Sequence, residues 1–192
     1  PRTILVTGNT GIDAVLEMAA RVDAATLAGG PADPTPGRRL VLVTGHRRES
    51  FGDGFDRICD GLDRISARDD LEIIYPVHLN PQVGEVVRRR LGGRTNVRLV
   101  APLGYPQMVA LMTRAHVILT DSGGIQEEAP ALGKPVLVMR EVTERPEALE
   151  TGVVSLVGAD PDRMAAEVFR LLDDPAYYAA RARAVFPYGD GT

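Results

Sequence analysis

The chain predicts an α/β fold in which a parallel sheet is covered by helices on both faces. Three observations carry that prediction. From residue 38 onward, short apolar runs of strand character alternate with segments of helical period. One of the helical segments opens on Asn80 as a cap with Pro81 at the first helical position, the arrangement that starts helices. The composition, 192 residues with 44% hydrophobic and 25% charged, suits one globular domain with a substantial core.

Residues 1–27 hold one strand-like run, Ile4-Leu5-Val6. A helical pattern follows through Ile12, Val15, Leu16 and Ala19, opened by Asn9 or Thr10 as a cap. Between 28 and 37 the sequence Ala-Gly-Gly-Pro-Ala-Asp-Pro-Thr-Pro-Gly has no apolar period and several backbone breakers, as an interdomain linker should. Residues 1–37 are therefore expected as an interdomain strand, helix and linker, and 38–192 as the main domain. Its expected strands are 40–43, 71–75, 97–100, 117–119, 136–139 and 153–156, and its expected helices 55–67, 81–91, 106–114, 124–132 and 161–172. The helices rest on spacing: Phe55, Ile58, Cys59, Leu62 and Ile65 form one stripe, and Val83, Val86, Val87 and Leu91 another.

Charge and motif content exclude several classes. The net charge is −4 and no block of Lys or Arg could neutralise a run of phosphates, so neither nucleic acid nor an anionic membrane surface is expected as a partner. There is no apolar run long enough to span a bilayer and no signal-peptide pattern. The single cysteine, Cys59, lies on an apolar stripe and can form no internal disulfide, which fits a reducing, cytoplasmic compartment. The chain opens at Pro1 and stops at Gly191-Thr192, and is expected to be a piece of a larger protein.

No His/Cys/Asp cluster has metal-ligand spacing, so no metal is expected. Gly8-Asn9-Thr10-Gly11 is not the nicotinamide fingerprint, no Walker lysine pattern occurs, and Ser122 lacks the Gly-x-Ser-x-Gly elbow of hydrolases. No cofactor is expected.

The segment Val117-Ile118-Leu119-Thr120-Asp121-Ser122-Gly123-Gly124-Ile125-Gln126-Glu127-Glu128 reads as strand, turn and helix. Such a junction points free backbone N–H groups and the positive end of the helix dipole at one spot, which favours a phosphate. The plainer alternative is a turn in which Ser122 caps the helix and the glycines let the chain reverse. No acidic residue completes a capping box, because the third helical position is Ile125.

Open parallel sheets bind ligands outside the carboxyl ends of their strands, so the loops there supply the candidates. They contain Gly45-His46-Arg47-Arg48-Glu49, His78-Leu79-Asn80, Pro102-Leu103-Gly104-Tyr105, the Ser-Gly-Gly turn, and Arg140 with Thr143-Glu144-Arg145-Pro146-Glu147. Each has a plainer alternative: Arg47, Arg48 and Glu49 as a solvated charge run, and His46 as a structural hydrogen-bond donor. His116 precedes a strand on the opposite edge and is expected to be structural. Glu127 and Glu128 point about 100° apart on a helix, so only one can face a ligand and the other is expected to be solvated or capping.

These loops resemble those of the non-hydrolysing UDP-N-acetylglucosamine 2-epimerases. The resemblance is carried by Thr44-Gly45-His46-Arg47-Arg48-Glu49, Tyr75-Pro76-Val77-His78-Leu79-Asn80-Pro81, Thr120 through Pro130, Gly133 through Arg140, and Thr143-Glu144-Arg145-Pro146-Glu147. It runs from Thr7 to Gly191 and covers the second half of that family's enzyme. The family's fold is two Rossmann-like domains of the glycosyltransferase-B type with the site in the cleft between them, and this chain resembles the carboxyl-terminal, UDP-binding half. The resemblance implies interconversion of UDP-N-acetylglucosamine and UDP-N-acetylmannosamine, by elimination of UDP to a 2-acetamidoglucal and re-addition, without a cofactor.

It further implies that Ser122, Gly123 and Gly124 hold the diphosphate and that Glu128 binds the ribose hydroxyls. His46, with a catalytic part, and Arg145 lie near the diphosphate or sugar, and Arg48 and His78 match positions that hold a regulatory UDP-N-acetylglucosamine in bacterial members. The Leu103–Tyr105 loop would border the uracil, the full-length enzyme would be a homodimer, and the carboxylates that move the C2 proton would lie on the other domain. The chain departs from the family at Ser50, commonly Asn, and Gly104, commonly Asp. The alternatives are a UDP-sugar glycosyltransferase of the same fold, a hydrolysing relative, or a nucleotide-sugar sensor without catalysis.

Overall fold

The computed structural model describes residues 8–47 and 53–189. Helix α1 (Thr10–Arg21) leads through a 3-10 turn (Ala24–Thr26) into β1 (Arg39–Thr44). Strands and helices then alternate: α2 (Asp53–Ile65), β2 (Leu71–Pro76), α3 (Pro81–Leu91), β3 (Val97–Val100), α4 (Tyr105–Arg114), β4 (Val117–Thr120) and α5 (Gly123–Ala131). The chain ends with β5 (Val136–Val138), α6 (Pro146–Glu150), β6 (Val154–Leu156), α7 (Pro161–Asp173) and α8 (Pro175–Arg181).

The strands pair in parallel in the order β3-β2-β1-β4-β5-β6. The chain builds outward from β1 to β3, then crosses back to lay β4 on the other side of β1. The loop after β1 leaves for one face and the loop after β4 for the other, which opens a crevice at the carboxyl ends of these two strands. Their tips are level, with Thr44 paired to Thr120.

Because both faces are covered, the strands are mostly apolar along their length and their apolar residues divide by parity. Leu40, Leu42, Ile74, Ile118 and Val138 pack with residues of α1, α4 and α5, whereas Val41, Val43, Ile73, Tyr75 and Leu119 pack with α2, α3 and α7.

Every strand and helix expected from residue 38 onward is present, with ends displaced by no more than two residues. Helix α2 stops early because the side-chain amide of Asn96 donates to the carbonyls of Ser66 (3.0 Å) and Arg68 (2.9 Å), drawing the chain out of the helix. Two helices were not expected. Helix α6 spans only Pro146–Glu150, too short for a period to register. Helix α8 carries the same signature that identified α3: the Asp174 carboxylate accepts the Tyr177 N–H at 2.9 Å and Pro175 occupies the first position.

Of the two caps proposed for α1, Asn9 serves, its side-chain oxygen accepting the Gly11 N–H at 2.8 Å. The expected strand at Ile4-Leu5-Val6 lies outside the described residues. The carboxyl-terminal segment returns to this end of the molecule: Val185 donates to the Pro130 carbonyl and Tyr188 accepts the Asn9 N–H, both at 3.1 Å.

The Pro/Gly-rich stretch 28–37 is folded onto the sheet. Leu27 and Ala32 are buried beside Leu40 and Val109. The carboxylate of Glu72, buried in β2, accepts the Thr35 N–H and hydroxyl and pairs with Arg98. A buried carboxylate with these partners acts as a staple, because removing it strands three donors at once. Glu72→Ala is expected to lower stability by about 1–3 kcal/mol, read as a lower denaturant midpoint with an unchanged slope.

Candidate functional site

The site starts where β1 and β4 end. The Thr44 and Thr120 hydroxyls touch at 2.6 Å, and the Thr120 hydroxyl also accepts the Ser122 N–H at 3.0 Å. Next in the chain is Asp121, which is fully buried. Its Oδ2 accepts the backbone N–H groups of both His46 and Arg47 at 2.7 Å. Its Oδ1 has no hydrogen-bond partner among the described residues and faces the Nδ1 of His46 at 3.4 Å. One carboxylate thus ties the loop after β4 to the loop after β1.

Gly45 makes that approach possible. Its carbonyl accepts the Tyr75 hydroxyl at 3.0 Å, and a Cβ built on it would stand 2.9 Å from that oxygen. Tyr75 is packed in the core and cannot withdraw, so a side chain here would push the His46 loop off its seat. Burial, together with the neighbouring Asp121 charge, holds the Tyr75 phenol well above its ordinary pKa, so it remains a donor.

Ser122 occupies the cap position of α5 in an extended conformation, yet its hydroxyl makes no capping bond. The first-turn N–H groups, at Gly123, Gly124 and Ile125, have no intrahelical acceptor. The serine is the cap residue in position but leaves its hydroxyl for something else. Two cations stand beside this helix end: a Cβ built on Gly123 would lie 3.6 Å from the Arg47 guanidinium and 3.7 Å from that of Arg145. A helix N-terminus flanked by two guanidinium groups is an anion site by both dipole and charge.

The adjacent acids of α5 divide their work. Glu127 pairs with Arg145 and accepts the Asn9 side-chain amide, so it is neither solvated nor a cap but the group that aims Arg145. Glu128 is half-buried and has no such cation among the described residues. Its pKa is pushed up to about 7, first by burial and then by the Glu127 charge. Across from it, Tyr105 at the start of α4 has its phenol pKa raised by burial and by the Glu128 charge.

The loop after β5 completes the arrangement. Arg140 is buried and grips Glu144 with two bonds of 2.7 and 2.9 Å, which holds the Glu144 carboxyl down at about 2. The Thr143 hydroxyl donates to Gln126 and accepts the Arg145 N–H at 3.1 Å, while the Gln126 amide donates to the Ser122 carbonyl at 3.1 Å. Buried Gln126 therefore links the Ser-Gly-Gly turn to the loop that delivers Arg145.

Between these parts lies a cavity of about 190 Å³, with walls from Thr44 to His46, Pro76 and His78, Pro102, Leu103 and Met108, and Ser122 and Ile125. The Pro102, Leu103, Met108 and Ile125 side is apolar and suits a flat ring. On the other side the imidazoles of His46 and His78 stack at 5.4 Å and 18°. A second cavity of about 300 Å³ lies behind Pro102 and Leu103, bounded by the 26–32 segment and Gln107.

The structure brings His46, His78, Ser122, Gly123, Gly124, Glu128 and Arg145 to one sheet edge. Arg48, with Glu49 and Ser50, lies outside the described residues. His116 is structural as expected: it stacks on Tyr178 at 4.0 Å and its Nε2 meets the Leu171 carbonyl at 3.3 Å.

Sequence reasoning gave no individual role to Asp121 or Gln126, and held Arg47 only as a loop candidate against the alternative of a solvated charge run. An acid directly after a wholly apolar strand was the available signal for Asp121. Arg47 was masked by its charged neighbours, and Gln126 carried no signal in the sequence. Among the described residues no group of three or more His, Cys, Asp or Glu converges as a metal site, and no helix is long and apolar enough to cross a membrane.

A family model described as UDP-N-acetylglucosamine 2-epimerase matches residues 1–192. The chain belongs to that family. It is 55% identical to the UDP-N-acetylglucosamine 2-epimerase of Salmonella typhimurium over 194 residues, covering 98% of this chain and 52% of that protein. The crystal structure of UDP-GlcNAc 2-epimerase from Neisseria meningitidis bound to UDP-GlcNAc superposes with a TM-score of 0.92 at 38% identity, covering 99% of this chain and 53% of that one. The glycosyltransferase WaaG shares the fold alone, with a TM-score of 0.59 at 18% identity over 77% of this chain and 41% of that one. The chain thus spans about half the length of the epimerases it matches, and it has the fold of one domain of a glycosyltransferase-B-type pair.

A carboxyl raised to about 7 opposes folding once it ionises: its contribution is most favourable below the ordinary glutamate pKa and is lost as pH rises through about 7. Glu128→Gln removes that loss. Thermal melts are expected to show the variant gaining roughly 2–6 °C on the wild type at pH 8.5, and little at pH 4.5.

Proposed function

We propose that the chain is the UDP-binding half of a two-domain UDP-N-acetylglucosamine 2-epimerase. The observation that carries this is the start of α5: free N–H groups flanked by Arg47 and Arg145, with Glu128 farther along the helix and an apolar slot alongside. The diphosphate lies on Ser122, Gly123 and Gly124, where the helix dipole and the two guanidinium groups meet its charge. Glu128 accepts hydrogen bonds from the ribose hydroxyls. The slot lined by Pro102, Leu103 and Met108 takes the uracil.

The same groups serve the reaction. Elimination removes the C2 proton and breaks the bond from C1 to the diphosphate oxygen, whose electron pair leaves with UDP. Negative charge therefore grows on the diphosphate as the bond breaks, and donors already fixed around that oxygen lower the barrier. Re-addition of UDP after protonation on the opposite face gives the epimer. His46, at the cavity wall and beside the anion site, is the proton-handling group of this half, and the carboxylates that exchange the C2 proton belong to the half that precedes it.

His78, together with Arg48, forms the contact to a second, regulatory UDP-N-acetylglucosamine, and its stacking on His46 would join the two sites. Residues 1–37 form the connection to the preceding domain. The whole protein acts as a cytoplasmic homodimer on UDP-N-acetylglucosamine and UDP-N-acetylmannosamine, a compartment that suits its buried Cys59 thiol.

Full-length protein turning over in deuterated water is expected to place deuterium at C2 of the sugar, read by mass spectrometry; unlabelled epimer would exclude elimination. For this chain, calorimetry with UDP tests the ribose assignment. Removing two hydrogen bonds to a charged group, Glu128→Ala is expected to weaken binding by about 10- to 100-fold. Glu128 must be ionised to accept both hydroxyls, so affinity should rise with pH through about 7 more steeply in the wild type than in Glu128→Gln.

A further inference from the structure

Two neighbouring imidazoles stack at the cavity wall, and their Nδ1 atoms meet opposite partners. His78 Nδ1 lies 3.1 Å from the backbone N–H of Asn80, which can only donate, so in neutral His78 the proton sits on Nε2. His46 Nδ1 lies 3.4 Å from Asp121 Oδ1, which can only accept as a carboxylate. That oxygen is buried and has no hydrogen-bond partner among the described residues. The other oxygen is engaged by the His46 and Arg47 N–H groups, so the carboxylate cannot turn away from the ring. Buried acceptors are rarely left unsatisfied, and the ring nitrogen in front of this one is the donor within reach.

We infer that Asp121 is a positioning residue: it draws the Nδ1 proton of His46, fixing the less common tautomer and leaving Nε2 as the bare nitrogen for a ligand. A neutral histidine in water favours the Nε2–H form, so the pair would hold opposite tautomers side by side. In serine-protease triads a buried carboxylate plays the same part toward its histidine, and replacing it by the amide keeps the geometry but puts the proton on the wrong nitrogen. The logic transfers directly. In Asp121→Asn the amide oxygen must take the Oδ2 place to accept two N–H groups, which turns the NH2 toward His46 and forces Nδ1 to accept. The inference concerns proton placement and stands without the epimerase reading; only its catalytic consequence rests on that reading.

The chain has three histidines, so 15N-labelled histidine and two-bond 15N–1H correlation spectra in mildly alkaline solution resolve each ring. In the wild type, His46 is expected as Nδ1–H, with His78 and His116 as Nε2–H. In Asp121→Asn, His46 should switch to Nε2–H while the other two stay. A wild-type His46 protonated on Nε2 overturns the inference, as does an unchanged His46 in a folded Asp121→Asn. If that variant does not fold, the wild-type spectrum decides alone.

In the full-length protein, Asp121→Asn is expected to lower kcat at least about 100-fold with KM changed far less. A switched tautomer with unchanged kcat would keep the role of Asp121 and remove His46 from the reaction. That outcome separates failure of this inference from failure of the functional one.

Discussion

At the ends of β1 and β4 the chain leaves for opposite faces of the sheet, and the sheet's own ladder stops at Thr44 and Thr120. Left alone, the two departing loops would drift apart, because each is pulled by a different helix layer. The Asp121 carboxylate prevents this by accepting two N–H groups from the other loop. Charge-assisted bonds of this kind are stronger than neutral ones, and Asp121 is fully buried at the junction. With the Asp121 N–H bonded to the Thr44 carbonyl at 3.2 Å and the two threonine hydroxyls in contact, this carboxylate sets the distance between the histidine loop and the start of α5.

Further supports spread from this clasp. The wall nearest Tyr75 depends on Gly45, which lets the backbone pass beneath the phenol. The turn at Ser122 is held from below by Gln126, and Gln126 is held by Thr143, whose hydroxyl also sets the Arg145 backbone. Arg145 is oriented by Glu127, and Glu127 is reached by the same Asn9 that caps α1. The helix that precedes the main sheet thus contributes to the aim of Arg145 beside the start of α5.

The fold was legible because periodicity and capping are local. The run 117–120 is wholly apolar, and the Asn80-Pro81 start of α3 needs no tertiary information. The same local chemistry was present at Asp174-Pro175 but was not used, which is why α8 was missed. The site was legible as far as backbone geometry determines it: a strand followed by Ser-Gly-Gly places N–H groups at a sheet edge whatever surrounds them. What was not legible were the pairings across the crevice. That Glu127 rather than Glu128 takes Arg145 depends on which side of α5 faces the loop after β5. That Asp121 faces His46 depends on strands 76 residues apart in register lying side by side.

Electrostatic bookkeeping of the helix end explains why neighbouring glutamates differ. Arg145 carries its own counter-charge in Glu127, and Arg140 has one in Glu144, so neither guanidinium is held by ligand alone. Such pairing holds the cations in one place, so less side-chain freedom remains to be lost if an anion binds beside them. It also leaves Glu128 with no ion pair among the described residues, and its partial burial and then the neighbouring Glu127 charge raise its pKa. The raised pKa of Glu128 and the order at Arg145 thus have a common origin: the first acid of the pair is committed to the arginine, and the second is left half-buried beside a like charge.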